Sequence, residues 1–350
     1  MSPTRWRQRT HLRRAVPVAG GARPLGTNAA PRAQSVRDNC VVGQALPVAD
    51  VELKIRAMPQ DAEIIAVQTA SGFVGVCNLL HCGREEGDDA LVPYALLSGH
   101  KAGGFALSWN AVKKGYLASG ASDGFVICWD MHERLSATAA GKENDTKRDI
   151  QPLRRVGTRT DVVTDVSWHG SQGYILLSAG MDGAMQLWDT REKKSGCSWP
   201  CAHAGGVTAA QLPPTGAFQV ANAGVDGVLR LWDIRQSKRT ELLSLRYHTR
   251  SITGLQWAPF SETVLSTFSE DGLVVSWDVA ERFLPFPDSE DELAPRELVF
   301  VHIGHLGRVT DARWSSGSEG QWLMAPTDTM NGLHVYRPLT SVVRDYAFSG

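Results

Sequence analysis

The chain has 350 residues, more than one ordinary compact core holds, so it is either two domains or one modular array. Eleven Trp and 34 Gly stand against only 8% aromatic residues in all, the imbalance expected when one Trp-bearing unit recurs. A hydrophobic content of 43% excludes wholesale disorder, and 36 basic against 37 acidic residues exclude a globally basic nucleic-acid binder.

The first 37 residues carry eight Arg and no acid, with Pro at 3, 17, 24 and 31. No helical periodicity survives that proline spacing, so 1–38 reads as a basic, disordered tail, with a mitochondrial presequence as the alternative. The stretch lacks the apolar core of a secretory signal, and no run of about 18 apolar residues suits a membrane span. Cys40-Val-Val-Gly-Gln-Ala-Leu-Pro reads as the last strand of an eroded repeat.

A repeat follows. Four Trp-Asp pairs stand at 129–130, 188–189, 232–233 and 277–278. Six residues before each Trp is an Asp followed by Gly: Asp123, Asp182, Asp226 and Asp271. Twenty residues before lie Trp109, Trp168, Leu212 and Trp257, and 29 before lie His100, Arg159, His203 and His248. Trp188, Trp232 and Trp277 are 44 and 45 residues apart, the length of a four-stranded propeller blade. Upstream, Phe73-Val-Gly-Val-Cys-Asn aligns with Phe125-Val-Ile-Cys-Trp-Asp. Downstream, Gly304-His305, Trp314 and His334-Val335-Tyr336 form a last copy with Tyr336 in the Trp slot. Short runs rich in β-formers, with Asp-Gly hairpin signals between them, predict all-β structure over about 39–338, followed by a tail at 339–350.

These motifs resemble the WD-repeat family. The resemblance implies a β-propeller of six clear blades plus a degenerate or truncated first blade, seven in family terms. It also implies Asp–His–Ser/Thr–Trp tetrads: His100, Ser119, Asp123 and Trp129 in one blade, and His248, Thr267, Asp271 and Trp277 in another. Asn222 takes the hydroxyl slot of a third blade, and Arg159 the His slot of a fourth. A buried carboxylate must be hydrogen-bonded, so the recurrent His–Asp–Ser pattern reads as scaffolding rather than as a catalytic triad. A closed ring needs its first and last blades latched, a task expected of residues 39–50.

Several segments resemble one branch of that family, the histone-binding proteins related to the retinoblastoma-binding subunits of chromatin assembly and deacetylase complexes. They are Ala57-Met-Pro-Gln-Asp-Ala-Glu-Ile-Ile-Ala, Leu97-Ser-Gly-His, Asp165-Val-Ser-Trp-His and Leu187-Trp-Asp-Thr-Arg. The last is Asp288-Ser-Glu-Asp-Glu-Leu-Ala-Pro-Arg-Glu-Leu-Val-Phe-Val-His-Ile-Gly. This acidic insertion, within 279–297, stretches Trp277 to Tyr336 to 59 residues. The resemblance implies a non-enzymatic histone-binding scaffold, nuclear or also cytoplasmic. Its partners would be core histones and other subunits of chromatin assembly, deacetylase or methyltransferase complexes. Asp288, Glu290, Asp291 and Glu292 would meet a basic histone helix, while Leu293 and Phe300 would make apolar contact or anchor the loop.

The chain departs from that branch in two places. The family's long N-terminal helix is not visible in 1–50. The positions that grip a histone tail on the top face read Gly103, Thr164, Gly206, Ser251 and Arg308, which make no electronegative channel. An alternative reading rests on Trp188-Asp-Thr-Arg191 and Trp232-Asp-Ile-Arg235, which resemble the adaptor box of substrate receptors for cullin-type ubiquitin ligases. A generic interaction adaptor is a further one. Cys197, Cys201 and His203 have too few partners for a zinc site, and His203 already serves the repeat. No cofactor, metal, membrane, small-molecule substrate or direct nucleic-acid partner is expected.

Overall fold

The structure, a computed structural model, describes residues 16–17, 52–79, 95–139, 149–159, 161–192, 195–199, 202–215, 217–235, 241–280, 295–315 and 322–338. Its strands form six sheets, antiparallel but for one strand pair, whose inner strands follow one another around a ring.

Blade one holds β2 (Glu52–Met58), β3 (Asp61–Thr69), β4 (Val74–Asn78) and β5 (Ala95–Leu97), from the axis outward. Blade two holds β6 (Ala106–Trp109), β7 (Tyr116–Gly120), β8 (Phe125–Asp130) and β10 (Arg154–Thr158). Between β8 and β10 lie the helix α1 (His132–Ala139) and β9 (Asp149–Ile150), which pairs parallel to β5 as a fifth strand of blade one. Blade three is β11 (Val163–Trp168) to β14 (Ser195–Trp199), blade four β15 (Val207–Gln211) to β18 (Glu241–Arg246), and blade five β19 (Ile252–Trp257) to β22 (Leu298–Ile303). Blade six takes β23 (Val309–Trp314), β24 (Met324–Asp328) and β25 (Tyr336–Arg337), with β1 (Val16–Pro17) as its outer strand. The N-terminal segment thus pairs with the last blade through Val16–Pro17. The latch expected at 39–50 and the eroded blade remnant at Cys40–Pro47 lie outside the described residues.

The repeated offsets have a common physical cause. Gly124, Gly183, Gly227 and Gly272 occupy φ between +72° and +77° at the turn between second and third strands, where a side chain would be strained. The Asp before each Gly folds back on its own turn: Asp123 accepts from the Phe125 N–H and Asp271 from the Leu273 N–H. That leaves the carboxylate facing the segment that enters the blade, where the His slot sits.

In blade two the Trp129 indole donates to Ser119 Oγ at 2.8 Å, and Ser119 lies 2.8 Å from His100 Nε2. His100 Nδ1 stands 3.2 Å from both oxygens of Asp123. An indole N–H can only donate, so the hydroxyl passes its proton to Nε2 and Nδ1–H donates to the carboxylate. Blade five repeats the chain through Trp277, Thr267, His248 and Asp271, with Trp277 donating at 2.9 Å and His248 Nε2 2.8 Å from Thr267.

The other blades solve the same problem differently. In blade three Arg159 fills the His slot, its side chain 1% exposed, and donates to Asp182 at 2.6 Å and to the Ser178 carbonyl at 2.9 Å. In blade four the Trp232 indole donates to Asn222 Oδ1, and Asp226 is shared between His203 Nδ1 at 2.8 Å and Arg230 at 2.9 Å. In blade six His305 Nδ1 reaches Asp328 at 2.8 Å, but Met324 occupies the hydroxyl slot.

The Trp twenty residues before the Trp-Asp slot bridges blades in two units, and Trp314 does the same in blade six. Trp109, Trp257 and Trp314 donate their indole N–H to the carbonyls of Arg56, Gln211 and Gln256 on the preceding inner strand. Between blades six and one the link is ionic: Arg56 lies 2.8 Å and Lys54 3.6 Å from Asp311. Burial alone would raise the Asp311 carboxyl, but those two cations hold it below the usual carboxylate range.

Removing Arg159 would leave the Asp182 carboxylate beside a buried, empty slot. Arg159→Ala should cost about 3 kcal/mol of unfolding free energy in a denaturant titration, and Arg159→His should recover most of it by restoring the tetrad. Stability should also fall in mild acid. Burial lowers His100, His203 and His305 below their ordinary value of 6.5, and His302 to about 4. A depressed histidine contributes stability that is present above pH 6.5 and lost as pH falls through its folded value. Burial raises Asp165 from 3.8 to about 6, so its contribution runs the other way, lost as pH rises through 6. Burial lowers His169 as well; with five lowered histidines against one raised carboxyl, the thermal midpoint should decline between pH 7 and 4.5, measured by melts across that range.

Candidate functional site

The turns and loops place two unlike faces on the ring. One carries the Asp-Gly turns and the His slots; the third strands β8, β13 (Met185–Asp189), β17 (Val228–Asp233) and β21 (Leu273–Asp278) run from it to the other face, where they end in Trp-Asp. The axis between holds a cavity of about 630 Å³, bounded by the inner edge of every blade, including Lys54, Phe105, Thr164, Thr208, Thr253 and Thr310.

The charges near that cavity are mixed. Lys54, Arg56, Arg308 and Arg313 alternate with Asp165, Glu270 and Asp311. Arg308 lies 3.6 Å from Glu270. Asp165 accepts from the Val166 and Ala210 N–H groups and so ties β11 to β15. At the positions expected to grip a basic tail, Thr164 donates to the Val207 carbonyl and Gly206 takes φ +117°. A side chain at Gly103 would strike the Ala70 backbone at 2.5 Å. Close packing between neighbouring blades accounts for Gly103 without reference to a ligand.

The opposite face carries the Trp-Asp-x-Arg segments. Arg191 and Arg235 are exposed, at 62% and 64% of their side chains, and each forks onto the Asp two residues before it. Arg191 makes contacts of 2.6–3.2 Å with Asp189 and lies over the Tyr174 ring at 3.7 Å. Arg235 contacts Asp233 at 2.8 and 3.1 Å and lies over Phe218 at 5.0 Å. The two arginines therefore repeat one intrablade arrangement, with planar guanidiniums stacked on aromatics.

The acidic insertion joins β21 to β22, so its described ends lie on this same face. There Asp278 N–H donates to the Glu297 carbonyl at 2.8 Å and Leu298 N–H to the Pro295 carbonyl at 3.1 Å. Asp288, Glu290, Asp291, Glu292 and Leu293 lie outside the described residues. Phe300 does not: it is 0% exposed in β22, with its ring 5.7 Å from Tyr336. Of the two roles expected of Phe300, apolar contact or anchoring of the loop, this burial fits the second: the strand that closes the insertion turns the ring into the core between blades five and six.

One cluster escaped the repeat pattern. His302, His305 and His334 meet beside blade six, one ring nitrogen of each within 4.8 Å of the other two. A His-x-x-His spacing at 302–305 was the available signal, but the third member comes from 29 residues further on, across a strand pair.

Comparison with known proteins gives three kinds of likeness. The family model described as WD domain, G-beta repeat matches residues 151–189, 196–233 and 239–278. Over 290 residues the chain is 26% identical to Histone acetyltransferase type B subunit 2 of Debaryomyces hansenii, covering 81% of this chain and 65% of that protein. It is 27% identical to WD-40 repeat-containing protein MSI3 of Arabidopsis thaliana, covering 83% and 66%, and 28% identical to Probable histone-binding protein rba-1 of Caenorhabditis elegans, covering 84% and 71%. The chain thus spans just under two thirds of the first two of these relatives. Among solved structures, a chain of the Mitotic Checkpoint Complex superposes with a TM-score of 0.62 at 17% identity, covering 83% of this chain and 75% of that one, a likeness of fold alone.

Because exposed ion pairs contribute little, Arg191→Ala and Arg235→Ala should each change unfolding free energy by less than about 1 kcal/mol. Chemical denaturation of both variants checks this, and a larger loss would mean that the forks hold the blades together.

Proposed function

Since the chain belongs to the WD-repeat β-propeller proteins, we propose that it is a non-enzymatic scaffold that binds a basic helix of a core histone through its acidic insertion. The observation that carries this reading is four acids within five residues, Asp288, Glu290, Asp291 and Glu292, in the loop that interrupts blade five. Relatives named for histone binding and for a histone acetyltransferase subunit support it. Carboxylates so grouped suit Lys and Arg side chains through charge-assisted bonds, which set orientation and association rate as well as affinity.

On this reading the protein works in the nucleus, and its partners are core histones and further subunits of chromatin assembly or modifying complexes. The His–Asp–hydroxyl groups hold blades rather than substrate, because each is closed by an indole or a guanidinium. The ligase-adaptor reading has less support: Arg191 and Arg235 are already committed to Asp189 and Asp233 and to an aromatic ring. That internal role accounts for the repeated Trp-Asp-x-Arg without a partner.

Reversing Asp288, Glu290, Asp291 and Glu292 to Lys should weaken binding to purified histone tetramer roughly ten-fold or more at moderate salt, with the melting transition unchanged. Unchanged affinity would remove the insertion as the site.

A further inference from the structure

We propose that His302, His305 and His334 form a binding site for a divalent transition-metal ion, zinc by ligand type, that ties blade five to blade six. The site follows from a defect in the repeat. In the complete tetrads the His slot is served on both sides, Nδ1 by the carboxylate and Nε2 by a hydroxyl four residues before that Asp. In blade six that hydroxyl position is Met324. His305 keeps its bond to Asp328 through Nδ1, but Nε2 is buried and has no hydrogen-bond partner. A fully buried imidazole nitrogen without a partner is costly, and it is the one nitrogen His305 has left to give.

The two other rings converge on the same place. His302 comes from the end of β22 and His334 from the approach to β25. Their facing nitrogens, His302 Nε2 and His334 Nδ1, are 2.9 Å apart. The His305 ring stacks on His334 with centroids 4.1 Å apart and lies 5.4 Å from His302. Ligand nitrogens around a tetrahedral zinc sit about 2.0–2.1 Å from the metal, so binding opens the 2.9 Å contact by a few tenths of an ångström and draws in the His305 nitrogen, now within 4.8 Å of the others, as its ring turns out of the stack on His334. The proton shared between His302 and His334 then resides on the far nitrogen of its ring, and no net proton is released from neutral imidazoles.

Two further features fit an ion. Asp328 accepts from the Gly332 and Met330 N–H groups and from His305 Nδ1, and it orients the His305 ring from behind, as carboxylates do around zinc-bound histidines. Gly304 leaves the space open: a Cβ there would lie 3.0 Å from both His302 Nε2 and His334 Cε1. Three imidazoles match the protein ligand set of open zinc sites.

The test uses the full chain after chelation and dialysis. Titration with Zn²⁺ should give one ion per chain by calorimetry and raise the thermal midpoint, and Co²⁺ should give the visible absorption of a tetrahedral site. His302→Ala, His334→Ala and Gly304→Ala, each checked for an unchanged metal-free melting transition, should each lose at least ten-fold in affinity and the metal-dependent rise. A variant that fails to fold is replaced by His334→Gln, which removes the ligand and keeps a polar side chain. No binding by the wild-type chain, or binding undiminished in the His302 and His334 variants, would overturn the assignment.

Discussion

Five of the six blades have to dispose of a carboxylate at the tip of a tight turn. In four of them the turn requires an Asp-Gly pair, and the fold then buries the Asp side chain beside the strand that enters the blade. An unpaired charge there would be prohibitive, so something must reach it from the blade entry. His100 and His248 do so with a hydroxyl and an indole behind them, Arg159 alone, His203 with help from Arg230, and His305 with nothing on its far side. The common constraint is satisfaction of the carboxylate; the identity of the satisfying group is free to vary.

That constraint divides the molecule by role. The face with the turns is consumed by internal hydrogen bonds, and the cavity along the axis is bordered by mixed charge. Chain length is cheapest to add at the other face, where third strands end and only a connection to the outer strand must be kept. Blade five uses that freedom for its acidic insertion, and the bonds from Asp278 to Glu297 and from Leu298 to Pro295 close its base. The ring is completed by Lys54 and Arg56 meeting Asp311, where the other blade junctions use packing and indole donors. Its closure is therefore the junction most exposed to electrostatic conditions.

The blades were legible because their signals are local: turn glycines, strand composition and fixed offsets all fall within about 30 residues. Arg159 was visible as a break in the offsets, though its guanidinium bond to Asp182 was not, since residue identity alone does not say which way a substitute points. What the offsets could not convey were contacts that cross between units. Val16–Pro17 pairs with the last blade, Asp149–Ile150 adds a parallel strand to the first, and His334 reaches His302 only because blades five and six pack against each other. Which of its two expected roles Phe300 takes is likewise a matter of contacts between units: its place in β22 turns it inward against Tyr336 of the next blade, as an anchor would be.

The central claim is that the insertion of blade five, and not the axial cavity, receives the histone. Hydrogen exchange on the free chain and on its complex with purified histone tetramer tests it most directly. The account predicts slowed exchange in peptides spanning 279–297, with those bordering the cavity at Thr164, Thr208 and Thr253 unchanged. Slowing at the cavity positions with none at 279–297 would contradict it.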